Sequence, residues 1–457
     1  MPAALRSPQL RRIILAYSVN RIGFWFGTVA LSLAVFDHTH SGAAVAATLL
    51  AAQVVPALAV PFLVARVEAS RRQRELSGLY WFEAAATAAL AILVAHFWLP
   101  AILLLVALDG TAALAASALL RAETAKAGRE ELGDGAVDEP PGHTPRPDPE
   151  PGRQAEDERE EQAEAAERQA NAALNVAFSV AFVVGPALAG ITTAAAGATI
   201  ALLLAAAAFL LCGTLLVDLH PHVEEAEGES VRARLRAAWA YVRRAPDLRS
   251  LLIAQAVAFV FFESAAPIEV VYAKQSLHSG DGGYGALIAA WGAGVVVGSI
   301  IFARSPKRSL RLMVSAGTLA VGMAYVAFGA INVLAGACAA AVIGGIGNGV
   351  QWTPLVTAVQ RLTPFPLRGR VMGALESIGA LAPALGLVLG GALLALTSPR
   401  TAFYVVGAGA LAVTALFVRI PMDRPQAGAN EEPLGAHVES AHAVDARADA
   451  ADRSAAL

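Results

Sequence analysis

Arg21, Glu83, Asp109, Glu263, Glu269 and Glu376 stand inside long apolar stretches of the sequence. An ionisable group in such a place is costly unless it faces a cavity or a partner, so each marks a candidate for binding or ion movement. Arg21 sits near the middle of the first stretch. Trp25, Thr28 and Ser32 follow it at i+4, i+7 and i+11, on one face of a helix. That stripe suits a cavity wall in which Arg21 binds an anionic group or holds a carboxylate; a structural ion pair fits Arg21 equally. Asp109 and Glu83 are the acids available to neutralise it. A carboxylate that alternates between an arginine and a proton would couple proton movement to that of another solute. Glu263 and Glu269 flank Pro267 and share a helical face only if the proline distorts the helix. Glu263 is the deeper of the two and the better proton site, whereas a solvated helix end near the outer mouth accounts for Glu269. Glu376 fits either an inner gate or an ion pair with Arg370.

Neutral polar groups form two further stripes. Asn171, Asn175, Phe178 and Phe182 make one, and Asn348, Gln351, Trp352 and Leu355 the other. Amides beside aromatic rings suit an amphipathic organic molecule; hydrogen bonds between helices explain them equally well. The run GAGVVVG (Gly292–Gly298) has no strand before it, so it reads as a place where helices pack closely rather than as a dinucleotide loop. His220 and His222 belong to a solvated linker. Cys212 and Cys338 both lie in apolar blocks, so neither a disulfide nor a zinc site is expected. No Walker motif and no nucleophile–base or metal constellation is visible, so the expectation is a chain that is not an enzyme and carries no cofactor or metal.

The elements that must position these groups are membrane-spanning helices. Of 457 residues, 56% are hydrophobic and 16% charged, against about 25% charged in ordinary soluble domains. Several blocks reach the roughly 20 apolar residues that cross a bilayer as a helix. Backbone amides in lipid must bond internally, and these blocks lack the alternation of barrel strands. The spacing predicts twelve spans at 12–36, 42–66, 76–98, 100–121, 170–194, 197–217, 248–273, 283–304, 310–331, 334–359, 370–396 and 400–420. Arg and Lys crowd alternate connections, as at Arg71, Arg72 and Arg74, at Arg232–Arg244, and at Arg304–Arg311. The other connections hold little beyond Lys274 and Arg400. That asymmetry places both termini in the cytoplasm. The net charge of −3 and the lack of a basic stretch exclude nucleic acid as a partner.

The expected division is 1–122 for the first four helices, 123–168 for a cytoplasmic, disordered insertion, and 169–217 for helices five and six. A linker at 218–247 follows, then helices seven to twelve at 248–420 and a disordered cytoplasmic tail at 421–457. The insertion is rich in Pro, Glu and Gly, and its last part, from about Ala155, could extend the next helix. Within the linker, residues 230–249 place Val231, Leu235, Trp239 and Val242 on one face with Arg on the others, which reads as an amphipathic helix on the inner membrane surface. Two halves of six helices place a substrate site between them.

The chain resembles the major facilitator superfamily, and within it the branch holding the enterobactin exporter and the macrolide efflux pumps. The resemblance is carried by LRRIILAYSVNRIGFWFGTVALSLAVFDHTHSGAA at the start, by GPALAG (Gly185–Gly190, with Pro186), and by AWAYVRRAPDLRSLL before span seven. QRLTPFPLRGRVMG (Gln360–Gly373), with Arg368, Gly369 and Arg370, completes it. The loop ARVEASRRQR departs from the family pattern, with Ala65 and Glu68 near the usual Gly and Asp and with Arg71–Arg72 as the basic pair. Phe24 follows Gly23 where the branch often has Asp. The resemblance implies a fold of two six-helix bundles working by alternating access, with Glu68, Arg71 and Arg72 as a conformational latch. It also implies export of an amphipathic small molecule such as a drug, macrolide or siderophore. The resulting expectation is a monomeric, proton-coupled exporter of the inner or plasma membrane, whose partners are its substrate, protons and the lipid bilayer. An uncoupled facilitator or lipid flippase of the same fold is the alternative within transport, and a transporter-like scaffold or sensor the alternative outside it.

Overall fold

The computed structural model describes residues 8–70, 75–133, 149–217, 241–305, 307–364 and 367–423. The chain is all-helical over these residues. The elements are α1 (Pro8–Thr39), α2 (Gly42–Ser70), α3 (Glu75–Ala95) and α4 (Leu99–Gly133). The run Pro149–Leu215 is broken at Gly197, where φ is 85° and ψ 161°, a conformation open to glycine because it has no Cβ. The break separates α5 (149–196) from α6 (198–215). Then come α7 (Pro246–Val271), a π-helical turn (Tyr272–Ser276), α8 (Gly280–Ala303), α9 (Leu310–Ala330), α10 (Leu334–Arg361), α11 (Arg368–Leu396) and α12 (Pro399–Arg419). Ten runs among the described residues are long and apolar enough to cross a membrane. One of them, Ala173–Leu215, holds both α5 and α6, and α2 is a 29-residue helix with a shorter apolar run over Gly42–Ala57, so the protein is a multi-pass membrane protein whose described residues form twelve long helices.

Three expectations about the extramembrane segments meet a different structure. Helix enters the segment 123–168 from both sides, because α4 continues to Gly133 and α5 begins at Pro149. Both extensions are rich in Ala, Glu, Arg, Lys and Gln, which favour helix, and Pro149 sits at a first-turn position where a missing N–H costs nothing. Residues 134–148 lie outside the described residues. The amphipathic helix expected over 230–249 does not run through. Residues 218–240 lie outside the described residues, and Ala245 is extended (φ −104°, ψ 91°) ahead of Pro246, since a following proline disfavours the helical region. Val242 is buried with Leu248, Leu251 and Leu252, and Tyr241 Oη donates to Leu362 O at 3.2 Å, so this end of the linker docks on the second half of the protein. The start of the tail is also fixed. Asp423 accepts from Leu310 N at 2.7 Å and from Ser309 Oγ at 2.5 Å, which caps the start of α9.

The helices form two halves, α1–α6 and α7–α12. The α1–α2, α3–α4, α7–α8, α9–α10 and α11–α12 junctions share one end, called here the loop face; the chain's described ends share the other, the terminal face. The two halves carry a common signature at the loop face. His40-Ser41-Gly42 opens α2, His278-Ser279-Gly280 opens α8, and both histidines are left-handed at φ 50° and 51°.

The apolar core shows how the halves meet. Near the loop face one cluster joins Val29, Leu33 and Phe36 of the first half to Ile268, Tyr272, Trp291 and Phe403 of the second. Near the terminal face the core splits in two. Leu10, Ile13, Leu76, Tyr80 and Leu120 pack within the first half, and Leu251, Val314, Leu355 and Phe417 within the second. Helix α1 records the same change along its length. Leu10, Ile13, Ala16, Tyr17 and Asn20 make a single buried face, whereas every residue from Val29 to Phe36 is buried. The halves are therefore joined at the loop face and parted toward the terminal face.

The seam is formed by α5 on α8 and by α2 on α11. A Cβ on Gly190 would lie 2.8 Å from Gly285 Cα, and one on Gly391 would lie 2.8 Å from Ala46 Cβ. These glycines let backbones approach where larger residues would hold them apart.

Candidate functional site

A cavity of about 100 Å³ lies inside the first half, lined by α1, α2, α3, α4 and α6. Arg21, Glu83 and Asp109 all face it, together with Asn20, Phe24, Thr28, Ser32 and Thr87. Arg21 does not form an ion pair with either acid. Its guanidinium donates to Asn20 Oδ1 from Nε at 3.1 Å and from Nη2 at 2.8 Å, and lies 5.7 Å from the Tyr17 ring centre and 5.0 Å from that of Phe24. Asn20 is itself buried. Glu83 is 1% exposed, and neither carboxylate oxygen has a hydrogen-bond partner. The charges of Asp109 and Arg21 both act on it. Asp109 accepts from Thr87 Oγ1 at the long distance of 3.5 Å. Two acids thus share an apolar enclosure with one base, and one acid has no donor at all. A space of this size holds several waters but falls below the several hundred Å³ usual for drug-sized ligands.

A second cavity of about 50 Å³ lies in the other half, lined by α7, α9, α10 and α12. Asn348, Gln351 and Trp352 face it with Gln255, Phe259 and Tyr325. Gln351 Nε2 donates to Gln255 Oε1 at 3.3 Å, and the Phe259 and Trp352 rings are 5.9 Å apart. Its chemistry is amide and aromatic, without a charged residue among the lining groups.

Glu263 lies between the halves. It accepts from Gln53 Nε2 of α2 at 3.3 Å. Glu269 is half-buried rather than solvated, and its charge interacts with that of Glu263 across Pro267. Helix α11 packs on this proline, as a Cβ on Gly390 would lie 2.8 Å from Pro267 Cγ.

Other sequence candidates fall elsewhere. Trp25 packs against Phe182 at 5.0 Å and against Gly185, so it joins α1 to α5, and Phe24 takes the cavity position instead. The helical turn carries Phe24, not Trp25, onto the face of Arg21 that looks inward. Asn175 is exposed and lines neither cavity, and Glu376 is exposed on α11. Arg368 Nε donates to Gln360 O at 3.2 Å, closing the end of α10. Arg71 and Arg72 lie outside the described residues, as do the side chains of Glu68 and Arg370 beside Gly369. Pro186 and Gly190 form the α5 side of the seam against α8, while Gly185 packs on α1 within the first half.

Asn20, Gln53, Thr87 and Gln255 are site groups that the sequence does not single out. Asn20 adjoins Arg21, which is a usable signal. Gln255 is a lone amide in α7, and it becomes legible only once α10 places Gln351 opposite it.

The family model described as Major Facilitator Superfamily matches residues 251–446. Among solved structures, the chain is similar to the nucleoside transporter NupG, with a TM-score of 0.66 at 12% identity over 91% of this chain and 99% of that one. It is also similar to a bacterial homologue of the iron transporter ferroportin in an inward-facing state, with a TM-score of 0.66 at 14% identity over 91% and 99%. A bacterial homologue of the lysosomal transporter Spinster, inward-facing and unoccupied, gives 0.60 at 13% identity over 92% and 95%. The fold is that of the major facilitator superfamily. No curated relative matches the chain at a significant level. Two of these solved structures were captured facing inward, and this chain too is joined at one face and parted at the other.

Proposed function

We propose that the protein is a secondary active transporter that moves an amphipathic organic molecule by alternating access and couples that movement to protons. The observation that carries this reading is the Glu83–Asp109–Arg21 cluster around a mainly apolar cavity. If both acids are ionised, one negative charge is left without a partner in a low-dielectric interior, which is costly. A proton on either acid removes that charge, so the cluster has reason to take up and release one proton as its access to water changes. Arg21 is held by Asn20 and two rings and is free to pair with whichever carboxylate is ionised.

The substrate occupies the space between the halves, within reach of Glu263 and of the exposed Trp352 ring, behind which Asn348 and Gln351 line the second cavity. With the termini in the cytoplasm of a cell membrane, as the loop charges suggest, the terminal-face opening is the inward one. Export of a drug, macrolide or siderophore is the direction supported by the resemblance of the opening segment and of GPALAG.

The test uses the protein in vesicles under an imposed pH gradient, with a panel of dyes, macrolides and siderophores as probes. Asp109→Asn should abolish gradient-driven accumulation of the transported probe, a loss of about tenfold or more for a coupling acid, while exchange of that probe without a gradient persists. Unchanged accumulation would remove proton coupling from this site and leave an uncoupled facilitator or flippase.

A further inference from the structure

The loop-face seam carries charged groups from both halves. Lys274 lies in the π turn that ends α7. Its Nζ is 2.8 Å from Asp37 Oδ1 and 3.0 Å from Oδ2 at the end of α1, and it also pairs with Asp281 in the first turn of α8. Asp37 belongs to the first half; Lys274 and Asp281 belong to the second.

This placement has a cause in the sequence. Phe36 and Tyr272 are the buried aromatics ahead of the two His-Ser-Gly turns. His40 follows Phe36 by four positions, but His278 follows Tyr272 by six. The excess of two is taken up by a π turn, in which Leu277 N donates to Tyr272 O at 2.9 Å, and by a still wider closure from Ser279 N to Ala273 O at 3.1 Å. Such turns arise where a helix absorbs extra residues, and they are frequent at functional sites. Tyr272 Oη donates to Ile331 O at 2.8 Å and Ser279 Oγ to Ala273 O at 3.1 Å, which fixes the turn from two sides. Lys274 is thereby held at the seam with 18% of its side chain exposed, against 46% for Asp37.

We propose that Asp37, Lys274 and Asp281 form a partner-exchange latch that sets the balance between the closed and open states of the loop face. The latch rests on the alternating-access reading, but not on proton coupling or on the identity of the substrate. When the halves part, Asp37 leaves with α1, while Lys274 and Asp281 stay together. The lysine keeps an acid partner in both states. Asp37 alone loses its partner, and its exposure lets water replace it. Opening is thus opposed by one exposed contact and never strands a partly buried cation.

The two acids consequently act with opposite sign. Asp37→Asn removes a contact made only when the loop face is closed, so it favours opening. Asp281→Asn removes the partner on which Lys274 depends once the face is open, so it favours closure.

The experiment places spin labels at exposed loop-face positions on the two halves, through His96→Cys and Val333→Cys, with Cys212→Ser and Cys338→Ser as background. Distances are measured by pulsed electron resonance in lipid nanodiscs. Asp37→Asn should raise the long-distance population about two- to fivefold, the range of an exposed ion pair, and Lys274→Gln should act in the same direction. Asp281→Asn should lower it. High salt should raise it in the parent and not in Asp37→Asn, because salt screens exposed charges. Two populations that Asp37→Asn and Lys274→Gln both leave unmoved would overturn the latch alone. A single short distance in every variant and at every salt concentration, from monodisperse labelled protein, would overturn the latch together with alternating access.

Discussion

Arg21 donates to a neutral amide, although two carboxylates line the same cavity. An ion pair with either acid would have fixed the charge in place. Pairing with Asn20 keeps the guanidinium oriented and leaves it available. Asn20→Ala should therefore impair transport without removing any ionisable group. A hydrogen bond to a charged group contributes about 1.5–3 kcal/mol, so transport of the identified probe should fall about tenfold or more. Rate against pH-gradient strength, measured in vesicles, separates this from Asp109→Asn: Asn20→Ala should lower the rate and keep its gradient dependence. At this scale the sequence was partly legible. Arg21, Glu83 and Asp109 stand out because charge is rare in apolar spans, and the cavity unites them. Which residue Arg21 contacts was not legible, since an acid attracts it in principle and only the packing of α1 against α3 and α4 decides the distance. Trp25 and Phe24 exchange roles for a related reason, as one residue's rotation around the helix moves a side chain from a cavity to a neighbouring helix.

Elements were more legible than contacts. Hydropathy placed all twelve spans, because lipid forces each apolar run to satisfy its own backbone. The ends escaped that logic. The extension of α4 to Gly133 follows from helix propensity, which a compositional reading of disorder overlooks, while the helical lead-in to α5, expected from about Ala155, begins six residues earlier at Pro149. The interruption at Ala245 follows from one proline and defeats a face pattern that otherwise looks continuous. Asp423 falls in a stretch whose composition reads as disordered, yet it caps α9 from more than a hundred residues away, and no local signal announces such a contact. Asp423→Ala should cost about 1 kcal/mol, the usual worth of a helix N-cap, seen as a lowered melting temperature in detergent. Transport by properly folded protein should be unaffected, since neither Asp423 nor Ser309 lines either cavity.

For the whole molecule, the division into two halves rested on the linker's position. The His-Ser-Gly turns supply the internal signature that the sequence conceals, because the two extra residues before His278 shift the copies out of register. Lys274, one of the few basic residues in otherwise charge-poor connections, was visible, but its partners were not, as Asp37 at the end of α1 reaches it from the other half and Asp281 comes from the first turn of α8. The parted terminal face was likewise beyond a reading of the sequence, since opposed helices have the same hydropathy whether joined or apart.

The single cluster at the loop face has a consequence for how the polypeptide holds together. Its side chains come from both halves, while the described residues that flank the covalent connection, up to 217 and from 241, lie at the opposite end. Adhesion and tether are thus at opposite poles of the molecule, and the tether need not supply the adhesion. A gene split within residues 218–240 and expressed as two polypeptides should give fragments that find each other in the bilayer and copurify through a tag on one of them. Weakening the shared cluster, for instance by Phe36→Ala, should release the untagged fragment, although the intact chain would still purify as one piece.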